Sequence, residues 1–190
     1  MSYGQLFVIS GASGVGKSTV LARIMAARND LRFSVSATTR APRPGETDGV
    51  EYYFVSDERF EQMIRDDEFL EYDKHAKASY GTPKTQLEEK LRDSHVILDV
   101  EPNGAFAVRK ARPDATLIFI MPPSVEVLEQ RLRSRGDTSE DQIQIRLERA
   151  KWEMEQRFAY DYVVTNDQVQ TCADTILNII AEKAEEIGGK

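Results

Sequence analysis

The residues of this chain best suited by type and spacing to do chemistry are Gly11-Ala12-Ser13-Gly14-Val15-Gly16-Lys17-Ser18. A glycine, four residues and then Gly-Lys-Ser, set between the apolar run Leu6-Phe7-Val8-Ile9 and the helix-like Thr19-Val20-Leu21, is the pattern of a phosphate-binding loop joining a strand to a helix. Glycines let the backbone curl until successive N–H groups face inward, toward phosphate oxygens. The open N–H groups and the positive dipole end of the next helix add to that site. Lys17 is long enough to reach the outer phosphates, and the Ser18 hydroxyl is a ligand for Mg²⁺.

A second group of charges lies downstream. Arg40 and Arg43 straddle Pro42 in Thr38-Thr39-Arg40-Ala41-Pro42-Arg43-Pro44-Gly45-Glu46. Two guanidinium forks on a stiff loop suit a second phosphate, and the pair also reads as two solvated arginines. Asp99 and Glu101 end the apolar run Val96-Ile97-Leu98. An acid at that strand end faces the loop serine and can hold Mg²⁺ directly or through water; a sheet end also carries acids for structural reasons. Arg131 and Arg135 share a helix face that Gly136 could end, and Arg146 lies on the next helix with Arg149 near the same face. These read as phosphate-facing cations or as a salt-bridged surface, since acids nearly balance bases from 131 to 157. His75 and His95 have no partners at metal-ligand spacing, and Trp152 reads as packing. The single Cys172 excludes an intrachain disulfide and reads as a small buried residue.

These groups need a scaffold. Short apolar runs at 5–10, 96–100, 116–120 and 162–164 read as buried parallel strands. Between them, Val20, Leu21 and Ile24, then Ala105 and Val108, then Val125, Leu128 and Leu132, then Ile143, Leu147 and Met154 recur at helical spacing, as do Ile176, Ile179 and Ile180. Residues 33–83 break this alternation. Phe33 to Arg40, Tyr52-Tyr53-Phe54-Val55 and Phe69 to Tyr72 read as strands, Phe60, Met63 and Ile64 as a helix, and Ser79-Tyr80-Gly81-Thr82-Pro83 as a turn. The block is expected to be an inserted mixed sheet. A length of 190 residues suits one α/β domain with such an insertion. A net charge of −7 argues against a general nucleic-acid or membrane-surface binder, so phosphate binding must rest on placed cations. There is no long apolar span and no secretion-type start, so a cytoplasmic location is expected.

In order along the chain, Gly11 to Ser18, Ser36-Ala37-Thr38-Thr39-Arg40-x-Pro42-Arg43-x-Gly45-Glu46, Gly49-x-x-Tyr52-x-Phe54-Val55, Glu68-Phe69-Leu70-Glu71, Tyr80-Gly81-Thr82, Leu98-Asp99-x-Glu101 and Arg131-x-x-x-Arg135-Gly136 resemble guanylate kinase. The resemblance runs from about 6 to 167. It implies an α/β P-loop NTPase three-layer fold with a central parallel sheet, an inserted mixed-β GMP-binding subdomain and a helical lid. The implied boundaries are a core of about 4–32, 84–125 and 158–190, an insertion of about 33–83 and a lid of about 126–157. It implies transfer of phosphate from ATP, with Mg²⁺, to GMP or dGMP. ATP would lie on Gly11, Ala12, Ser13, Gly14, Val15, Gly16, Lys17, Ser18 and Thr19, with Asn166 and Asp167 near adenine. Arg40, Arg43 and Tyr52, supported by Tyr80, would hold the GMP phosphate; Ser36, Glu71 and Thr82 would read the base. Ser18, Asp99 and Glu101 are the implied metal-side oxygens, with the two acids also near GMP. Lys17, Arg40, Arg43 and the lid residues Arg131, Arg135 and Arg146 would neutralise charge during transfer.

The base assignment agrees with elementary chemistry. Guanine presents N1–H and N2–H₂ as adjacent donors, which one ionised carboxylate can accept, and O6 as an acceptor for a hydroxyl. The family commonly has Asp-x-Asp-x-Gln-Gly where this chain has Asp99-Val100-Glu101-Pro102-Asn103-Gly104, so the roles of the two acids are left open. Two other activities would share much of this pattern: a non-catalytic guanylate-kinase-like binding module and a kinase for ribose 1,5-bisphosphate. The intact Gly16-Lys17-Ser18 disfavours the first, and the set Ser36, Tyr52, Glu71 and Thr82 disfavours the second.

Overall fold

A computed structural model describes residues 3–74, 77–134 and 139–188. Its main sheet has five strands, β1 (Leu6–Gly11), β2 (Leu31–Phe33), β7 (His95–Asp99), β8 (Thr116–Met121) and β9 (Tyr162–Thr165), in the order β2-β7-β1-β8-β9. Every pairing in it is parallel. Leu6 to Ile9, Val96 to Leu98 and Leu117 to Ile120 are all buried. Successive strand side chains point to opposite faces, so unbroken burial means that both faces are covered. The cover comes from α1 (Lys17–Ala27), α3 (Lys84–Leu91), α4 (Pro102–Ala111), α5 (Val125–Arg133), α6 (Glu140–Glu155) and α7 (Val169–Gly188).

Register sets the site. Ile9 of β1 pairs with Asp99 of β7, and Gly11 pairs with Ile120 of β8. The carboxyl ends of three central strands therefore finish beside one another, where open α/β sheets bind ligands. Ser10, fully buried, donates its hydroxyl to the Val100 carbonyl at 2.7 Å and ties the two strand ends together.

The second sheet is small and mixed. It contains β3 (Ala37–Thr38), β4 (Tyr53–Phe54), β5 (Phe69–Lys74) and β6 (Ser79–Pro83), in the order β4-β3-β6-β5. β3 runs parallel to β4 and antiparallel to β6, which is antiparallel to β5. Among the described residues its own buried cluster is Ala37, Phe60, Met63 and Phe69, with the partly buried Tyr53, Val55 and Ile64 packed against it and the Phe60 and Phe69 ring centroids 4.6 Å apart. Phe60 and Met63 come from α2 (Asp57–Arg65), whose start is capped by Ser56 accepting from the Arg59 N–H at 3.1 Å.

Two sequence expectations need correction. Ser79 to Pro83 is a central strand rather than a turn: it pairs on one side with β3 and on the other with β5. Gly81 is there because a Cβ would come within 2.8 Å of the Phe69 ring, and Pro83 stands at the strand end, where it opens α3. The expected strand from Phe33 to Arg40 is split, with β2 joining the main sheet and only Ala37–Thr38 pairing in the small one. Among the described residues no helix is long and apolar enough to cross a membrane.

Candidate functional site

Two clefts open along the carboxyl ends of the main sheet. The first, about 450 Å³, is lined by Gly11 through Ser18 and by Asp99, Glu101, Ile145, Arg146, Arg149 and Glu153. The loop enters α1 through Gly16 at φ 90°, a left-handed conformation that only glycine adopts cheaply. No described side chain caps that helix; the Thr19 N–H donates to the Gly16 carbonyl at 3.1 Å, and the N–H groups of Lys17 and Ser18 are the ones open to an anion. Lys17 extends over the loop to an ion pair with Asp99.

The loop is braced from outside. The Ser13 N–H donates to Glu153 Oε2 at 2.7 Å, and Glu153 is 2% exposed. The buried Asn166 donates its amide to the Val15 carbonyl at 2.8 Å. Arg131 of α5 donates to the carbonyls of Val15, Asn166 and Asp167 at 3.0–3.3 Å. Arg131 and Asn166 thus hold the back of the loop, and Asp167 is exposed beside them. Thr19 is exposed outside the cleft. Arg146 lines the cleft as expected; Arg135 lies outside the described residues.

The second cleft, about 470 Å³, is lined on the small-sheet side by Ser36, Tyr52, Glu71, Asp73, Lys77, Ala78 and Tyr80. On the main-sheet side are Asp99, Val100, Glu101, Gly104 and Arg149. Glu71 is the most constrained of these. It is 7% exposed, and its Oε1 accepts from the fully buried Thr82 hydroxyl at 2.6 Å. A Cβ on Gly104, in the first turn of α4, would lie 3.0 Å from Glu71 Oε2, so a glycine makes room for the carboxylate. Burial raises the Glu71 pKa above the usual carboxylate range, and the charge of Asp73 adds to this; the Thr82 hydrogen bond opposes both. Thr82 spends its only proton on Glu71, so of the two hydroxyls expected at a guanine O6 only Ser36 faces the cleft.

Arg40 and Arg43 do not line this cleft. Arg40 makes a two-pronged pair with Glu46, both bonds 2.9 Å, and its guanidinium lies 5.3 Å from the Tyr52 ring centroid. Glu46 also accepts from the Arg43 N–H at 2.7 Å, while the Arg43 residue is exposed. Tyr52 and Tyr80 stand edge to face at 5.9 Å between Arg40 and the cleft. The pairing with Glu46 raises the Arg40 pKa further and keeps the guanidinium charged.

Asp99, Glu101 and Arg149 line both clefts. Arg149 pairs with Glu101 and, at 3.1 Å, with Glu153. Sequence reasoning placed Arg149 near the face of Arg146 and left it open between phosphate-facing and surface; it passed over Glu153. The available signal was a carboxylate among the buried positions of α6, beside Ala150 and Met154, with an arginine four residues before it. The oxygens of Ser18, Asp99 and Glu101 all border the first cleft and suit a hard cation such as Mg²⁺.

The guanylate kinase family model matches residues 3–183 of this chain. A guanylate kinase of Thermus thermophilus is 46% identical over 186 residues, covering 97% of this chain and 84% of the relative. One from Oceanobacillus iheyensis is 44% identical over 178 residues, covering 93% and 86%. Among solved structures, a guanylate kinase from Anaplasma phagocytophilum superposes with a TM-score of 0.75 at 33% identity, covering 96% of this chain and 87% of the other.

Proposed function

Because this chain belongs to the guanylate kinase family, we propose how its two clefts perform the phosphorylation of GMP by ATP. The first cleft takes the donor. Loop N–H groups and Lys17 hold the β- and γ-phosphates of ATP, and Arg146 neutralises them from the other wall. Ser18 and the acids Asp99 and Glu101 are the residues that would hold Mg²⁺, which would supply charge neutralisation.

The second cleft takes GMP. Glu71, ionised, accepts from guanine N1–H and N2–H₂, and Ser36 donates to O6. Thr82 and Gly104 act on the base through Glu71, by fixing the carboxylate. Tyr52 and Tyr80 face the GMP phosphate, and Arg40 and Arg43 reach it by exchanging Glu46 for phosphate oxygens. Adenine would set an unprotonated N1 against Glu71 and leave buried groups unpaired, so AMP is rejected. The acceptor phosphate is itself the nucleophile, so transfer is direct and in line, with no covalent enzyme intermediate and no strong base. The helices α5 and α6 close over the donor and exclude water. Such an enzyme works where GMP and ATP are found, in the cytoplasm.

What carries this reading is a buried carboxylate, Glu71, in a cleft that shares a wall with the phosphate loop. Glu71→Gln keeps the acceptor for Thr82 but turns one carboxylate oxygen into a donor facing guanine donors. It is expected to lower kcat/KM for GMP about 10²-fold, the worth of a charged hydrogen bond, with the KM for ATP little changed. Steady-state kinetics with each substrate varied would check this; an unchanged GMP dependence removes Glu71 from the site.

A further inference from the structure

Transfer between two clefts must happen where they meet, and the residues lining both are two acids and one base. We propose that the base, Arg149, is a catalytic residue that contacts the phosphoryl group in transit. This rests on the phosphotransfer reading above.

Three observations support it. Arg149 has one buried anchor and one exposed one. Glu153, 3% exposed at its side chain, accepts from Arg149 Nε at 3.1 Å and uses its other oxygen on the Ser13 N–H. Glu101, 50% exposed at its side chain, accepts from the outer nitrogen. The outer contact is solvent-screened and is the weaker tether, so it is the one a phosphate displaces. The guanidinium also carries donors enough to keep Glu153 while bonding phosphate oxygens with its outer nitrogens in one planar fork, a geometry that lysine's single ammonium does not offer. Finally, the anchor is the carboxylate that holds the phosphate loop itself, so Arg149 and the loop are positioned by one group. Glu153 is therefore a positioning residue for Arg149 and for Ser13. Arg149 pairs with Glu101 in the same way that Lys17 pairs with Asp99, so both cations sit on acids at or just beyond the end of β7.

The test uses the whole chain and three variants. Arg149→Ala is expected to lower kcat about 10²-fold, as removal of one charge-stabilising donor does, with KM for ATP and GMP changed less than about threefold. Arg149→Gln keeps a donor for Glu153 while removing the charge, so it preserves a purely structural brace; it is expected to lose kcat to the same degree. Arg149→Lys is expected to recover part of the loss. Trp152, expected to pack, is 43% exposed on α6 and lines neither cleft, so binding of ADP and GMP is read by calorimetry, independently of turnover. All three variants are expected to saturate as the unaltered chain does. A kcat within about twofold of the unaltered chain in Arg149→Gln overturns the proposal, whatever happens to thermal stability. Failure of the unaltered chain to phosphorylate GMP would instead count against the reading of the two clefts.

Discussion

The donor and acceptor clefts are built by different means. The donor cleft is mostly backbone: a glycine-rich turn at the end of a parallel sheet, with one lysine and one helix end. It stands on the large core that β1, β7 and β8 share with α1, α4 and α7. The acceptor cleft is mostly side chains, presented on one wall by β5, β6 and the segments leading into β3 and β4, a sheet whose own described buried cluster has four residues. Phosphate is the same in every nucleotide, so a rigid backbone cradle serves. A base must be told from its rivals, and only side chains with set donors and acceptors do that. The small sheet is also the less stable body, which suits a half that must approach the other when both substrates are present.

Lys17→Ala breaks the donor half and is expected to have the largest effect. Turnover should fall about 10³-fold with the fold intact, because charge stabilisation on the moving phosphoryl group is lost. Circular dichroism beside an ADP-release assay checks both parts, and near-normal turnover would remove the loop lysine from the mechanism. Phe69→Ala breaks the acceptor half through its support. Deleting this ring opens a cavity in a cluster of four, a loss of about 3 kcal/mol or more. GMP binding should weaken more than tenfold while ADP binding stays within about threefold, as measured by calorimetry. Equal loss of both ligands would mean that the two halves do not differ in stability as described.

The smallest effect concerns Glu71 without substrate. Its pKa in the fold is raised, so the fold favours the protonated form. The stability this residue contributes is fully present below the ordinary glutamate value of about 4.3 and is lost as pH rises through the raised folded value. At neutral pH the charged, buried carboxylate therefore costs stability. Glu71→Gln is expected to melt a few degrees higher than the unaltered chain at pH 7, with the gap closing toward pH 4. Melting curves across that range check this, and a lower Tm for the variant at pH 7 would contradict it.

The same contrast explains what could be read from the sequence. The main sheet was legible because buried parallel strands are near-continuous apolar runs, and the phosphate loop because its geometry needs glycines at fixed spacing. The small sheet was only half legible. Ser79 to Pro83 has the composition of a turn, and its strand conformation comes from pairing with β3 and β5, which are distant in sequence. The resemblance implied Ser36, Glu71 and Thr82 at the base; that the threonine spends its proton on the glutamate could not be read from the sequence. Arg40 and Arg43 were expected to hold the GMP phosphate. That Glu46 already holds Arg40, and that both arginines stand outside the cleft, is a fact of tertiary placement. Arg149 was left open between phosphate-facing and surface because an arginine amid balanced charges on a helix fits either, and its place where the two clefts meet is a fact of tertiary structure.

The central claim is that one cleft accepts any nucleotide's phosphates while the other admits only guanine, and that transfer needs both filled. The most direct test is ADP release from ATP, measured with GMP, dGMP, AMP, UMP and ribose 1,5-bisphosphate in turn, and with no acceptor. The account predicts rapid ADP formation with GMP, and with dGMP since no base contact differs. With AMP, UMP, the sugar bisphosphate or no acceptor, the rate should be lower by a factor of about 10³ or more. Comparable rates with AMP, or ADP release that ignores the acceptor, would contradict it.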